Sequence, residues 1–167
     1  GNPIRVTDAR GQVTRLTWGY GHQLLTQTND PGTVTHKSYT RNPLGQPTQA
    51  QSPDVTYTYT YDAAHRLQTG TDTRGNKTLT YVWSPGGLLN TIQDSDSNRT
   101  DYQYDPVGRL TGGWAPNWDL VSFLHDAGGR LIEKWFPNGV NTRYTWNADS
   151  TLAQVTNRHG TGTIISQ

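Results

Sequence analysis

Acidic and basic side chains return in this chain at a regular interval: Asp62 with Arg66, Asp105 with Arg109, Asp126 with Arg130. A row of carboxylates can do acid–base work when two of them stand about 5–10 Å apart beside a substrate. A residue that recurs in unit after unit is more simply explained by folding. Asp four residues before Arg also closes a turn and adds a surface ion pair of about 0–1 kcal/mol. We read these pairs as structural. Asp94-Ser95-Asp96-Ser97-Asn98 has the acidic spacing that opens a calcium loop, but Arg99 stands where such a loop needs Gly, and the bidentate Glu is missing. A solvated hairpin turn is the expectation there. His22, His36, His65, His125 and His159 show no compact ligand spacing, so no metal site is assigned. His125-Asp126 lacks a nucleophile placed by the pattern, and His125 falls in an aromatic slot. No catalytic or cofactor-binding residue is assigned, and the chain reads as non-enzymatic.

The aromatics offer a different chemistry. Trp114, Trp118, Trp135 and Phe136 lie near turns and outside the regularly repeated positions. Flat rings of this kind stack on sugars or on protein chains when they share an exposed patch, and cap a sheet end when they do not. Trp114, Trp118 and Trp135 are the candidate ligand contacts.

What positions all of these residues is a repeat. A nine-residue phrase begins at Leu16, Tyr39, Tyr59, Tyr81, Tyr102, Phe123 and Tyr144, at intervals of 23, 20, 22, 21, 21 and 21 residues. A fixed period means one small supersecondary unit stacked many times. Positions 1 and 3 of the phrase are bulky, as in Tyr59 and Tyr61 or Tyr102 and Tyr104, and period-two spacing puts such a pair on one face of a strand. Position 4 is usually Asx or Ser, and position 7 is Gly at Gly45, Gly87, Gly108 and Gly129. An Asx side chain bonds its own backbone two residues on, and Gly accepts positive φ, so this stretch turns the chain. Leu24, Leu67, Leu89, Leu110, Leu131 and Leu152 start the next strand. A second turn falls half a period later, at Asp30-Pro31-Gly32, Arg74-Gly75-Asn76, Ala115-Pro116-Asn117 and Pro137-Asn138-Gly139. Each unit is thus a β-hairpin, and the whole an antiparallel meander of about fourteen to sixteen strands that curls into a spiralling sheet. A parallel β-helix fits the period as an alternative. Arg41 in an aromatic slot and Pro47 in place of Leu make residues 41–54 the expected site of a bend or frayed edge.

Composition agrees. Among 167 residues are 26 Thr, 18 Gly, 9 Pro and 17 aromatics, the make-up of strands and turns. A net charge of +1 gives no bulk attraction to nucleic acid or an anionic membrane. No apolar run approaches the ~18 residues of a spanning helix. The length suffices for one domain with a real core. Starting at Gly1 with no Met, the chain reads as a single repeat array, 1–167, cut from a longer protein, and its open sheet edges predict edge-to-edge homo-oligomers.

The phrase Tyr102-Gln103-Tyr104-Asp105-Pro106-Val107-Gly108-Arg109-Leu110 resembles the signature of YD repeats. These occur in rearrangement-hotspot (Rhs) proteins, the shell subunits of insecticidal toxin complexes, and teneurins. Near matches are Tyr59 to Leu67, with Tyr61, Asp62 and Arg66, and Phe123 to Leu131, with Asp126, Gly129 and Arg130. The resemblance implies a spiralling β-sheet that winds, in longer bacterial relatives, into a hollow shell around a toxin or effector. It further implies a structural wall role, neighbouring YD repeats as partners, carbohydrate as another partner, and a secreted or cell-surface bacterial location.

Overall fold

The structure, a computed structural model, describes residues 1–30, 37–115, 119–160 and 163–166. Runs of Thr, Tyr and Val are β-branched or aromatic, and they extend because such side chains pack well on a pleated surface. The chain divides into two compact units, Gly1–Thr80 and Tyr81–Gln167. In the first lie β1 (Arg5–Thr7), β2 (Val13–Trp18), a single 3-10 turn (Tyr20–His22), β3 (Leu24–Asp30), β4 (Lys37–Arg41), β5 (Pro47–Gln51), β6 (Thr56–Tyr61) and β7 (Leu67–Asp72). β8 (Lys77–Trp83) carries the chain into the second unit. There follow β9 (Leu89–Asp94), β10 (Arg99–Tyr104), β11 (Leu110–Trp114), β12 (Leu120–His125), β13 (Leu131–Trp135), β14 (Val140–Trp146), β15 (Leu152–His159) and β16 (Thr163–Ser166).

Strand order follows chain order from β1 to β16, and the registers are antiparallel. The fold is therefore an all-β meander of hairpins, and the parallel β-helix alternative is overturned. A helix of rungs would pair strands a full period apart in the same direction, whereas β6 pairs β7 and β10 pairs β11 as direct hairpins.

Hairpins built on the repeated phrase share one irregularity that the period did not reveal. The register shifts between positions 2 and 3, at Thr17/Trp18, Thr40/Arg41, Thr60/Tyr61, Gln103/Tyr104, Leu124/His125 and Thr145/Trp146. A bulge at a constant place bends each strand at its corner and aims the position-3 side chain. Pro47 sits at this same bulge, opposite Arg41. Of the bend or frayed edge expected at 41–54, the bend is present as this bulge and the fraying is not, because β5 pairs β4 on one side and β6 on the other. Proline is tolerated here as the first residue of its strand.

Cross-strand registers sort the side chains by face. On one, Tyr39 faces Ala50, Tyr59 faces Gly70 and Tyr102 faces Gly113, so a ring lies opposite a small residue. A Cβ built on Gly70 would stand 3.6 Å from Tyr59 Cδ1. The other face is rich in hydroxyls: Thr60 Oγ1 and Thr69 Oγ1 are 2.6 Å apart, and Thr71 Oγ1 and Thr78 Oγ1 2.9 Å. No hydrophobic residue among those described is buried; the buried side chains are Thr91, Glu133, Asn141, Thr142 and Thr156. The expected core is absent because, within each unit, consecutive strands pack only edge to edge. Half-burial by lateral neighbours takes the place of a second layer.

Candidate functional site

Each repeated phrase ends in a corner, and the corner is built from position 4. Asp62 Oδ1 accepts the N–H groups of Ala64 and Arg66 at 2.9 Å each, while Arg66 Nε donates to Asp62 Oδ2 at 2.7 Å. Asp105 repeats this with Val107 N at 3.1 Å, Arg109 N at 2.9 Å and Arg109 Nε at 2.6 Å. Asp126 holds Arg130 N at 2.9 Å and Arg130 Nε at 2.7 Å. The backbone closes the same loop: Asp105 N–H donates to Arg109 O and Gly108 N–H to Asp105 O, both at 2.9 Å. Gly108 and Gly129 hold φ near +83°, and His65 takes the corresponding place at +62°. These bonds engage both oxygens of each carboxylate in closing the corner.

The charged form of each carboxylate is favoured by these donors. Asp62 and Asp105 are held below the usual carboxylate range chiefly by the amide N–H of Arg66 and Arg109, and the arginine side chains add to it. For Asp126 the Arg130 side chain is the larger cause. Asp94 builds the same corner at the opposite end of its hairpin. Its Oδ1 accepts Asp96 N at 2.9 Å and Asn98 N at 2.8 Å, and its Oδ2 accepts Asn98 Nδ2 at 2.8 Å. The acidic run is thus spent on its own turn.

Corners are tied to one another by bonds that sequence reasoning missed. Arg109 Nη1 donates to Asp126 O, the next corner's position 4, at 2.9 Å. Arg130 Nη1 reaches Asn147 O at 3.4 Å and Ser150 Oγ at 3.2 Å. In the first unit Gln46 Nε2 stands in for Arg and donates to His65 O at 2.7 Å. A second set runs backward from position 3. Tyr61 OH donates to Pro47 O at 2.7 Å, Tyr104 OH to Leu89 O at 2.9 Å, and Trp146 Nε1 to Leu131 O at 2.9 Å. Trp18 Nε1 does the same to Pro3 O at 2.8 Å. The position-3 aromatic is therefore chosen for its polar tip as well as its ring, a signal present in the Tyr/Trp choice but with no side-chain partner to reveal it. Where position 3 is His125, Nδ1 is buried with no hydrogen bond, so no His125–Asp126 dyad forms through it.

Of the candidate ligand contacts, Trp114 and Trp135 lie among the described residues. Trp114 lies beside a shallow apolar hollow lined also by Tyr102, Gly113, Val121 and Phe123. Trp135 is 40% exposed and stands in register with Ser122 and Asn141. Trp118 lies outside the described residues. Near Trp135 the structure adds a polar group not anticipated from sequence: Asn141 Nδ2 donates to buried Glu133 Oε1 at 2.9 Å, and Arg143 Nη2 is 3.6 Å from the same oxygen. Strand alternation alone gave no sign that these side chains would be covered.

No family profile matches the chain, and no curated protein matches it. Solved structures do. A crystal structure of TcdB2-TccC3-TEV superposes with a TM-score of 0.76 at 16% identity, over 98% of this chain and 10% of that one. TcdB2-TccC3-Cdc42 gives 0.75 at 15% identity, over 99% and 10%. At such identities the likeness is one of fold, and the chain spans about a tenth of the length of the proteins it matches. What the chain shares with them is the fold described above, an antiparallel meander of hairpins.

Proposed function

We propose that residues 1–167 are one YD-repeat array and serve as a structural, non-enzymatic segment in the wall of a larger β-shell of the Rhs or toxin-complex kind. The observation that carries this is the two sets of bonds between corners, forward as from Arg109 to Asp126 O and backward as from Trp146 to Leu131 O, which meet at the Asp105 corner, where Tyr104 OH also reaches Leu89 O. They make each hairpin a piece that is complete only beside its neighbours, which suits a wall and offers no reactive site. Under this reading the residues that matter are Tyr61, Asp62, Arg66, Tyr104, Asp105, Gly108, Arg109, Asp126, Gly129 and Arg130. The partners are flanking repeats of a longer chain and an enclosed toxin or effector, and the setting is secreted or at a bacterial cell surface. Edge-to-edge homo-oligomers belong to the same reading, although β1, at three residues, offers only a short edge.

Cryo-electron microscopy of the chain within its full reading frame tests the proposal. Density for these sixteen strands inside a continuous closed wall is the expected result. The same strands found as a free-standing module with both faces in solvent would overturn it. A second reading, contact with carbohydrate, rests on the exposure of Trp135. It requires Trp fluorescence to change across a glycan panel, and a flat response removes it.

A further inference from the structure

We propose that Asn138 is a site of spontaneous backbone modification, deamidation through a cyclic imide, assisted by His159. Asn138-Gly139 is the sequence's one Asn-Gly pair. It sits at the tip of the β13–β14 hairpin, where Asn138 is exposed and Gly139 holds φ +80°. Every other Asn is followed by a residue whose side chain or ring crowds the following amide. At Gly139 no Cβ shields that nitrogen.

Three contacts prepare the reaction. Val140 N–H donates to Asn138 Oδ1 at 3.1 Å, which fixes the side-chain carbonyl and stabilises negative charge as it develops on that oxygen. Gly160 N–H donates to Gly139 O at 2.8 Å, so the end of β15 is pinned against this corner. His159, in register with Val140, brings Nε2 to 3.9 Å from the point where a Gly139 Cβ would sit. An imidazole at that place stands beside the Gly139 backbone and, directly or through one water, can take the amide proton once the N–H has left Phe136 O. One contact opposes: Gly139 N–H donates to Phe136 O at 3.0 Å, and this bond opens before the nitrogen can act. Asn138, Pro137, Phe136 and Asp119 line an open hollow, which gives solvent access to the group.

The atoms balance without any further reagent than water. Gly139 N bonds to Asn138 Cγ as its proton passes to His159 Nε2; the Cγ–Nδ2 bond breaks and, with the proton returned, ammonia leaves. Water then opens the ring at either carbonyl, giving aspartate or isoaspartate. Isoaspartate adds a methylene to the main chain inside a corner closed by Phe136 N–H to Val140 O at 2.9 Å, and that corner cannot close around the longer path.

Incubation of the purified chain at neutral pH, followed by peptide mapping and isoaspartyl methyltransferase labelling, tests this. Asn138 is expected to convert well ahead of Asn147 and Asn157. His159→Ala is expected to slow conversion about tenfold, below the roughly hundredfold minimum of a base aligned on its proton because His159 acts only after the amide bond opens, with an unchanged circular dichroism spectrum. Asn138→Gln, whose longer side chain disfavours the five-membered ring, should stay unmodified. Asn138 intact after Asn147 has converted overturns the proposal. Equal rates in the chain and in His159→Ala, or in the chain and a peptide spanning Lys134 to Thr142, overturn the role of His159.

Discussion

At three corners a single aspartate, Asp62, Asp105 or Asp126, caps backbone amides, pairs with an arginine, and so fixes where that arginine points. Position 4 was legible as a turn residue because an Asx side chain bonds its own backbone, a local effect that sequence displays. The reach of Arg109 to the next corner was not legible, since its acceptor is a main-chain carbonyl that every residue carries. The carboxylates also set a pH response. Asp62, Asp105 and Asp126 have folded-state pKa values below the unfolded value of about 3.9. Their stabilising contribution is therefore whole above that value and is lost as pH falls through the depressed one. Urea titrations at neutral pH and at successively lower pH should show the midpoint falling only below about pH 4. The triple change D62N, D105N and D126N should flatten that fall and start from a lower midpoint at neutral pH.

At the level of the hairpin, the period, the strand lengths and both turns follow from local chemistry, which is why they could be read directly. The bulge could not, because it adds no residue type of its own: Tyr104 meets Leu110 through a register slip that depends on how the corner closes. Pro47, where a bend or frayed edge is expected and only the bend is present, shows the same thing. Its ring would break a central ladder, but the bulge had already placed that residue first in β5, where proline fits. The backward bond from position 3 gives a clean experiment. Trp146→Phe keeps a ring and removes the indole N–H that Leu131 O accepts at 2.9 Å. The loss should be about 1 kcal/mol, with up to about 3 kcal/mol if the freed carbonyl stays dry. Hydrogen exchange should rise first in the amides of β13 and β14 and leave those of β9 and β10 unchanged.

At the scale of the whole chain, the lack of a buried hydrophobic core among the described residues has a measurable cost. The chain exposes 11063 Å², whereas a compact protein of this mass exposes about 8,200 Å². Less area is hidden on folding, and the urea m-value should lie about 15% below that of a compact domain of equal length. A normal m-value would mean that more surface is hidden in solution than these strands hide. The corner bonds carry a further consequence for how such chains diversify. Each donor asks its neighbour for nothing but a carbonyl, so any hairpin can be duplicated, lost or exchanged without a compensating change next door. A sequence built this way can change nearly every letter and still trace the same path, and two chains only 16% alike do share it with a TM-score of 0.76.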